Sequence, residues 1–193
     1  IDTGFSGDGW MEVTKSGIGP LYPQASLAVD GVGRLYVLAA RYEPDTIDID
    51  TLLFRYLANG ALDSDFAVAG MALLEDHGPN DTFDPLPRDV ASSPDGTSVS
   101  VYQYDADEAK IITYRSAPES AILLEQLVVA SVAIQGNGRA VTVGEHGDGA
   151  DGFQLARLTL GPQGELGFDP TFGAFGGAHN YDLDLGGSNS ETA

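Results

Sequence analysis

The sequence predicts an all-β protein built from small antiparallel sheets that stack on one another. Three observations predict it. A strand–turn–strand block occurs three times along the chain. Twenty-five glycines and ten prolines interrupt it at short intervals, which disfavours long helices. The apolar stretches between them are short and alternating, and rich in Val, Leu, Ile and Tyr, as half-buried strands are.

The first block runs from Ser26 to Ala39 and is read as a hairpin turning at Asp30-Gly31. The second starts at Asp89 and turns at Pro94-Asp95-Gly96, where proline fixes one negative φ and glycine accepts a positive one. The third starts at Ser131 and turns near Asn137-Gly138, a strong hairpin signal. A unit of this kind cannot bury its apolar face alone and must stack on its neighbours.

A second element follows each hairpin. Leu52-Leu53-Phe54-Arg55-Tyr56, then Asn59-Gly60, then Leu62-Asp63-Ser64-Asp65-Phe66, matches Phe153 to Leu160 followed by Phe168-Asp169-Pro170-Thr171-Phe172-Gly173. The middle copy keeps the strand at Lys110 to Arg115 but loses the turn. The opening Ile1-Asp2-Thr3-Gly4-Phe5 resembles the Leu62 and Phe168 boundaries. The chain is therefore divided as one repeat-built domain over 1–185, with units at 1–61, 62–122 and 123–172 and the start of a fourth at 173–185. Residues 186–193, rich in Gly and Ser, form a flexible tail. The polar, proline-containing stretch from Glu75 to Pro87 reads as a surface loop.

Charge sets the function classes. Twenty-nine acidic residues face nine basic ones, a formal net charge of −20. A chain without a cationic surface is a poor ligand for nucleic acid and for anionic membranes. There is no cysteine, which excludes disulfides, thiolate metal sites and cysteine nucleophiles. No apolar run is long enough to span a bilayer as a helix. The opening at Ile1, inside a repeat motif, reads as a processed form or an excised fragment.

At these residues the chain resembles the delta-60 repeat family of bacterial secreted and surface proteins. Leu62-Asp63-Ser64-Asp65-Phe66 and Phe168 to Gly173 carry its first element, Ser92-Ser93-Pro94-Asp95-Gly96 and the Asn137-Gly138 hairpin its second, and Phe54-Arg55-Tyr56 and Phe153 to Leu158 its third. The resemblance implies a β-propeller-like array of about three small sheets plus an extra strand, in a secreted or cell-surface protein. It implies no catalytic residues. Three units fall short of the four to eight blades of closed propellers. Closure of the ring in a dimer, a longer parent chain, or an open or sandwich-like array would each meet that shortfall.

The same connection of each unit is acidic. The first carries Asp45, Asp48 and Asp50, the second Asp105, Asp107 and Glu108, the third Asp148 and Asp151. Carboxylates on a turning backbone could supply the six to eight oxygens that Ca²⁺ takes, although none of the three loops has the EF-hand pattern. A solvated acidic loop is the plainer reading. Gly147 to Gly152 spells G-x-G-x-x-G, but the strand that follows it and its own aspartates argue against a phosphate site. His77, His146 and His179 are isolated, and Gly4-Phe5-Ser6-Gly7 is no nucleophile elbow. Trp10, Tyr22, Tyr42, Tyr102 and Tyr104 fall near predicted strand ends, where aromatics cap a core or anchor a partner.

These observations lead to a secreted, non-enzymatic adhesion, scaffold or self-assembly module whose partner is protein, including a second copy of itself. A Ca²⁺-assisted, lectin-like glycan-binding module and a secreted hydrolase are the alternatives.

Overall fold

In the computed structural model the described residues are 3–13, 20–43, 48–75, 86–103, 108–114, 118–125, 127–146, 152–160, 166–173 and 178–182. They are all-β, with no helix among them. Strands β1 (Leu21–Val29), β2 (Leu35–Glu43), β3 (Asp48–Tyr56) and β4 (Met71–Glu75) form one sheet in chain order. A second follows from β5 (Leu86–Ser92), β6 (Ser98–Gln103), β7 (Glu108–Tyr114) and β8 (Pro118–Glu125). The third is β9 (Leu127–Ile134), β10 (Ala140–His146) and β11 (Gly152–Leu160), whose outer edge is shared by β12 (Leu166–Phe168) and β13 (Ala178–Asp182). All named pairings are antiparallel.

One turn is used repeatedly. The N–H of Asp30 donates to Arg34 O (3.0 Å), that of Ser93 to Thr97 O (2.8 Å) and that of Gln135 to Arg139 O (2.7 Å). The fourth residue of each turn is a glycine with positive φ: Gly33 at 83°, Gly96 at 88°, Gly138 at 79°. This is a type I turn closed by a left-handed residue, a common three-residue hairpin loop. The first hairpin, expected to turn at Asp30-Gly31, turns from Asp30 to Arg34, and its left-handed residue is Gly33. The Asp30 carboxylate accepts the N–H groups of Val32 (3.0 Å) and Arg34 (2.9 Å), which sets the phase of that turn.

Two further expectations shift. The strand at 178–182 opens no fourth sheet, because it pairs with β11 from Ala156↔Ala178 to Gly152↔Asp182. The outer strand of the first sheet, Met71–Glu75, lies inside the stretch read as the second unit, since it folds back on β3 (Leu52↔Leu73). The structural blocks thus trail the sequence units by one strand. The expected tail at 186–193 lies outside the described residues.

Each sheet has a near face, toward the sheet before it, and a far face, toward the sheet after it. The far face of the first sheet (Tyr36, Leu38, Leu53, Ala72 and Leu74, with Phe66) packs against Val90, Ile112 and Tyr114 of the second. The far face of the second (Ala109, Ile111) packs against Val132, Ala140 and Leu158 of the third. Tyr36, Phe54, Phe66, Leu38 and Leu53 are fully buried, and each such side chain contributes roughly 1.5–3 kcal/mol of transfer free energy. On the near face of the first sheet, Val37, Ala39, Leu52, Phe54 and Tyr56 are covered in part by Met11 and Val13. The first strands β1, β5 and β9 lie side by side, β5 touching both of the others.

Candidate functional site

The place where β1, β5 and β9 meet is polar. Ser26, Asp89 and Ser131 occupy one equivalent step of the three blocks, and their side chains converge. The Ser26 hydroxyl donates to Asp89 Oδ1 at 2.6 Å. The Ser131 hydroxyl donates to Asp89 Oδ2. The same carboxylate accepts the N–H groups of Val90 and Val132, each at 2.9 Å. Burial pushes the Asp89 carboxyl upward, but the two hydroxyls and two amides outweigh it and hold it below the ordinary carboxylate value. Both oxygens are engaged within the protein, so this carboxylate is a tie between sheets.

One step along the same strands lies an open groove of about 550 Å³, lined by Gln24 and Ala25 of β1, Pro87 and Arg88 of β5, Val128 and Ala130 of β9, and Glu145 of β10. Arg88 and Glu145 are both exposed there. The groove offers one cation, one carboxylate and small apolar walls, which suits binding at a surface.

A second polar device holds the outer strands. Arg55 donates through Nε to Asp63 Oδ2 at 2.8 Å, and its guanidinium lies 4.6 Å from the centre of the Phe66 ring, within cation–π range. Arg157 repeats this on Asp169 (2.8 Å) and Phe172 (4.6 Å). Arg139 adds a second guanidinium to Asp169 at 3.0 Å. The Thr171 hydroxyl and amide, together with the two arginines, hold the Asp169 carboxyl down at about 2. The N–H of Asp63 also returns to Arg55 O, and that of Asp169 to Arg157 O, both at 2.9 Å. In the first and third sheets the clamp turns the chain from the third strand into the outer one. Sequence reasoning quoted these residues as repeated but missed that they pair; the signal was an arginine on the third strand recurring with an Asp-x-x-Phe after it.

The acidic connections are indeed equivalent, joining β2 to β3, β6 to β7 and β10 to β11. Asp45, Asp105, Asp107, Asp148 and Asp151 lie outside the described residues. Asp48 opens β3 opposite Glu43, and Glu108 opens β7 opposite Glu125. Asp50, almost fully buried, takes the Arg41 guanidinium, Nε to Oδ2 at 2.8 Å. Among the described residues no three acidic or imidazole groups come together as a cation site. Each described carboxylate with a resolved shift, Asp30, Asp89 and Asp169, is shifted downward.

No family model matches the chain, and no curated protein matches it. Among solved structures it is similar to a protein of unknown function from Bacteroides caccae, at 12% identity and a TM-score of 0.39, over 92% of this chain. The match spans 66% of that protein's length.

Proposed function

We propose that this chain is a non-enzymatic, propeller-like repeat module that acts through its sheet faces, as a scaffold or self-assembly unit that binds protein, first of all other repeat units of its own kind. One comparison carries the reading. Leu27, Val90 and Val132 are the same near-face position of three successive first strands. Val90 is 4% exposed and Val132 6%, each covered by the sheet before it, whereas Leu27 is 59% exposed. Val29 beside it is 55% exposed. At the other end of the stack, Ala133, Val141 and Val143 on the far face of the third sheet are exposed or half-exposed, while the corresponding faces of the first two sheets are covered. The two end faces are the complementary halves of a contact that the chain makes twice internally. Two copies would supply about six sheets, within the range of closed rings. The delta-60 resemblance supports the same reading and a place outside the cell.

Sedimentation velocity at rising protein concentration tests it. The expected result is a concentration-dependent species of twice the monomer mass or more, lost in Leu27→Asp with the monomer's melting temperature unchanged. A parent chain that stays monomeric throughout would overturn it.

A further inference from the structure

The three first strands break register near the same step. In β5, Pro87 pairs with Tyr102 and Asp89 with Val101, so Arg88 is an extra residue between them. In β9, Ser131 pairs with Val143 and Val129 with Gly144, so Ala130 is extra in the same way. Strand β1 is irregular between Leu21 and Ala25, a stretch that holds Gln24. Arg88 and Ala130 immediately precede Asp89 and Ser131, and Gln24 lies two residues before Ser26. A bulged residue stands outside the ladder, and bulges gather where a side chain has to be re-aimed. The Asp89 tie pins the three strands just beyond the breaks. Gln24, Arg88 and Ala130 accordingly line one groove of about 550 Å³, a size common among ligand sites.

Charge singles out two side chains of that groove. Arg34, Arg41, Arg55, Arg139 and Arg157 each hold an aspartate. Arg88 holds no acid among the described residues, although the chain carries a net charge of −20. Glu145 of β10, on the same groove, holds no cation among them. The two form no ion pair with each other, and both are exposed. A simple anion would meet Glu145 and the repulsive field of the whole chain. A simple cation would meet Arg88. A molecule carrying both charges engages both side chains and has no net charge for that field to repel. A guanidinium takes a carboxylate through two parallel hydrogen bonds, and a carboxylate takes an ammonium. Ala25, Ala130 and Val128 supply small apolar wall between them. The volume exceeds what one amino acid fills and suits a few residues.

We infer that the groove where β1, β5 and β9 meet binds short peptides with free ends, the terminal carboxylate on Arg88 and the terminal ammonium on Glu145. The site lies at the first strands and not on the end faces of the stack, so it needs no second copy. Neither reading depends on the other.

Titration of the ¹⁵N-labelled full chain with trialanine at low salt tests it. Saturable shifts are expected in the amides of Arg88, Ala130 and Glu145. N-acetyl-trialanine and trialanine amide, which each lack one terminal charge, should bind about three- to tenfold more weakly. The variants assign the two ends. Arg88→Gln should bind trialanine and its amide alike, and Glu145→Gln should bind trialanine and its N-acetyl form alike, with both variants melting as the parent does. Ala130→Leu keeps both charges but fills the groove, and should abolish the saturable shifts. Absence of saturable shifts in the parent overturns the site. Equal binding of the three peptides to the parent overturns the role of the two charges, and the opposite response of the two variants overturns the assigned orientation. Acetate or glucuronate binding as tightly as trialanine would mark a plain anion site and overturn the peptide reading.

Discussion

Asp89 and Ser131 stand at the same step of successive repeats, and the hydroxyl of one is held by the carboxylate of the other. With Ser26 bound to the second oxygen at 2.6 Å, one side chain ties the first strands of all three sheets. Asp89→Ala strands two hydroxyls and the Val132 amide at a partly buried junction. Hydrogen bonds to charged groups contribute about 1.5–3 kcal/mol each, with strong overlap between neighbours, so a loss of about 2–4 kcal/mol is expected from urea unfolding. Asp89→Asn, which keeps one acceptor oxygen, loses less. Equal stability of the parent and the alanine variant would show that the tie contributes nothing.

Acid should loosen the same ties. Asp89 and Asp30 are held below the ordinary carboxylate value, and Asp169 at about 2. A carboxyl whose folded value is depressed contributes stability that is complete above its unfolded value near 3.8 and is lost as pH falls through the folded one. The melting temperature should hold from neutral pH to about 4 and then fall toward pH 2. Asp169→Asn should flatten the lowest part of that fall. A steeper fall in this variant than in the parent would contradict the assignment.

The two clamps differ in how many cations hold the carboxylate, one at Asp63 and two at Asp169, and their variants should differ in cost. The Arg55 and Asp63 side chains are 10% and 9% exposed, against 18% and 2% for Arg157 and Asp169. Arg55→Ala leaves the Asp63 carboxylate buried without its cation, which costs about 3–5 kcal/mol in comparable pairs. Arg157→Ala costs less, because Arg139 still reaches Asp169 at 3.0 Å. Arg55→Lys recovers little, since an ammonium reproduces neither the Nε geometry nor the stacking on Phe66. Denaturant midpoints of the three variants check the order, and an Arg157→Ala cost equal to that of Arg55→Ala would overturn it.

What the sequence displays and what it conceals follow from the range of the forces involved. The turns at Gly96 and Gly138 are local events, and their residues announce them. The first turn is ambiguous by sequence because Gly31 and Gly33 both flank Val32; the Asp30 carboxylate decides between them by capping Val32 and Arg34. The acidic connections are legible as chain positions, each joining the second strand of a sheet to the third, but the burial of Asp50 on Arg41 is not, because it depends on the pairing of β2 with β3. The clamps are concealed by spacing: Asp63 lies eight residues after Arg55, Asp169 twelve after Arg157, so no fixed-distance pattern links them. The node at Asp89 is half visible, as one aspartate at a step where the other repeats carry serine. The openness of Leu27 is invisible in sequence, since its apolar character matches Val90 and Val132 and only the presence of a sheet beside it sets its exposure.

The repeated turn separates two costs that a glycine substitution usually mixes. Gly96 and Gly138 have nearly the same backbone, at 88° and 79°, and should pay the same conformational penalty when replaced by alanine, about 1 kcal/mol. Their surroundings differ. Nothing lies within 4 Å of a Cβ at Gly138. At Gly96 that atom meets the Arg34 guanidinium and comes within 3.2 Å of the Tyr36 hydroxyl, which donates to Gly96 O at 2.8 Å. Gly138→Ala should therefore show the backbone cost alone. Gly96→Ala should add the displacement of Arg34 and weakening of a buried hydrogen bond between the first and second sheets, for a total nearer 2–3 kcal/mol. The difference between the two variants in urea unfolding isolates the contact from the backbone. Equal losses would mean that Arg34 and Tyr36 yield freely, and that the first turn does not lock onto the second.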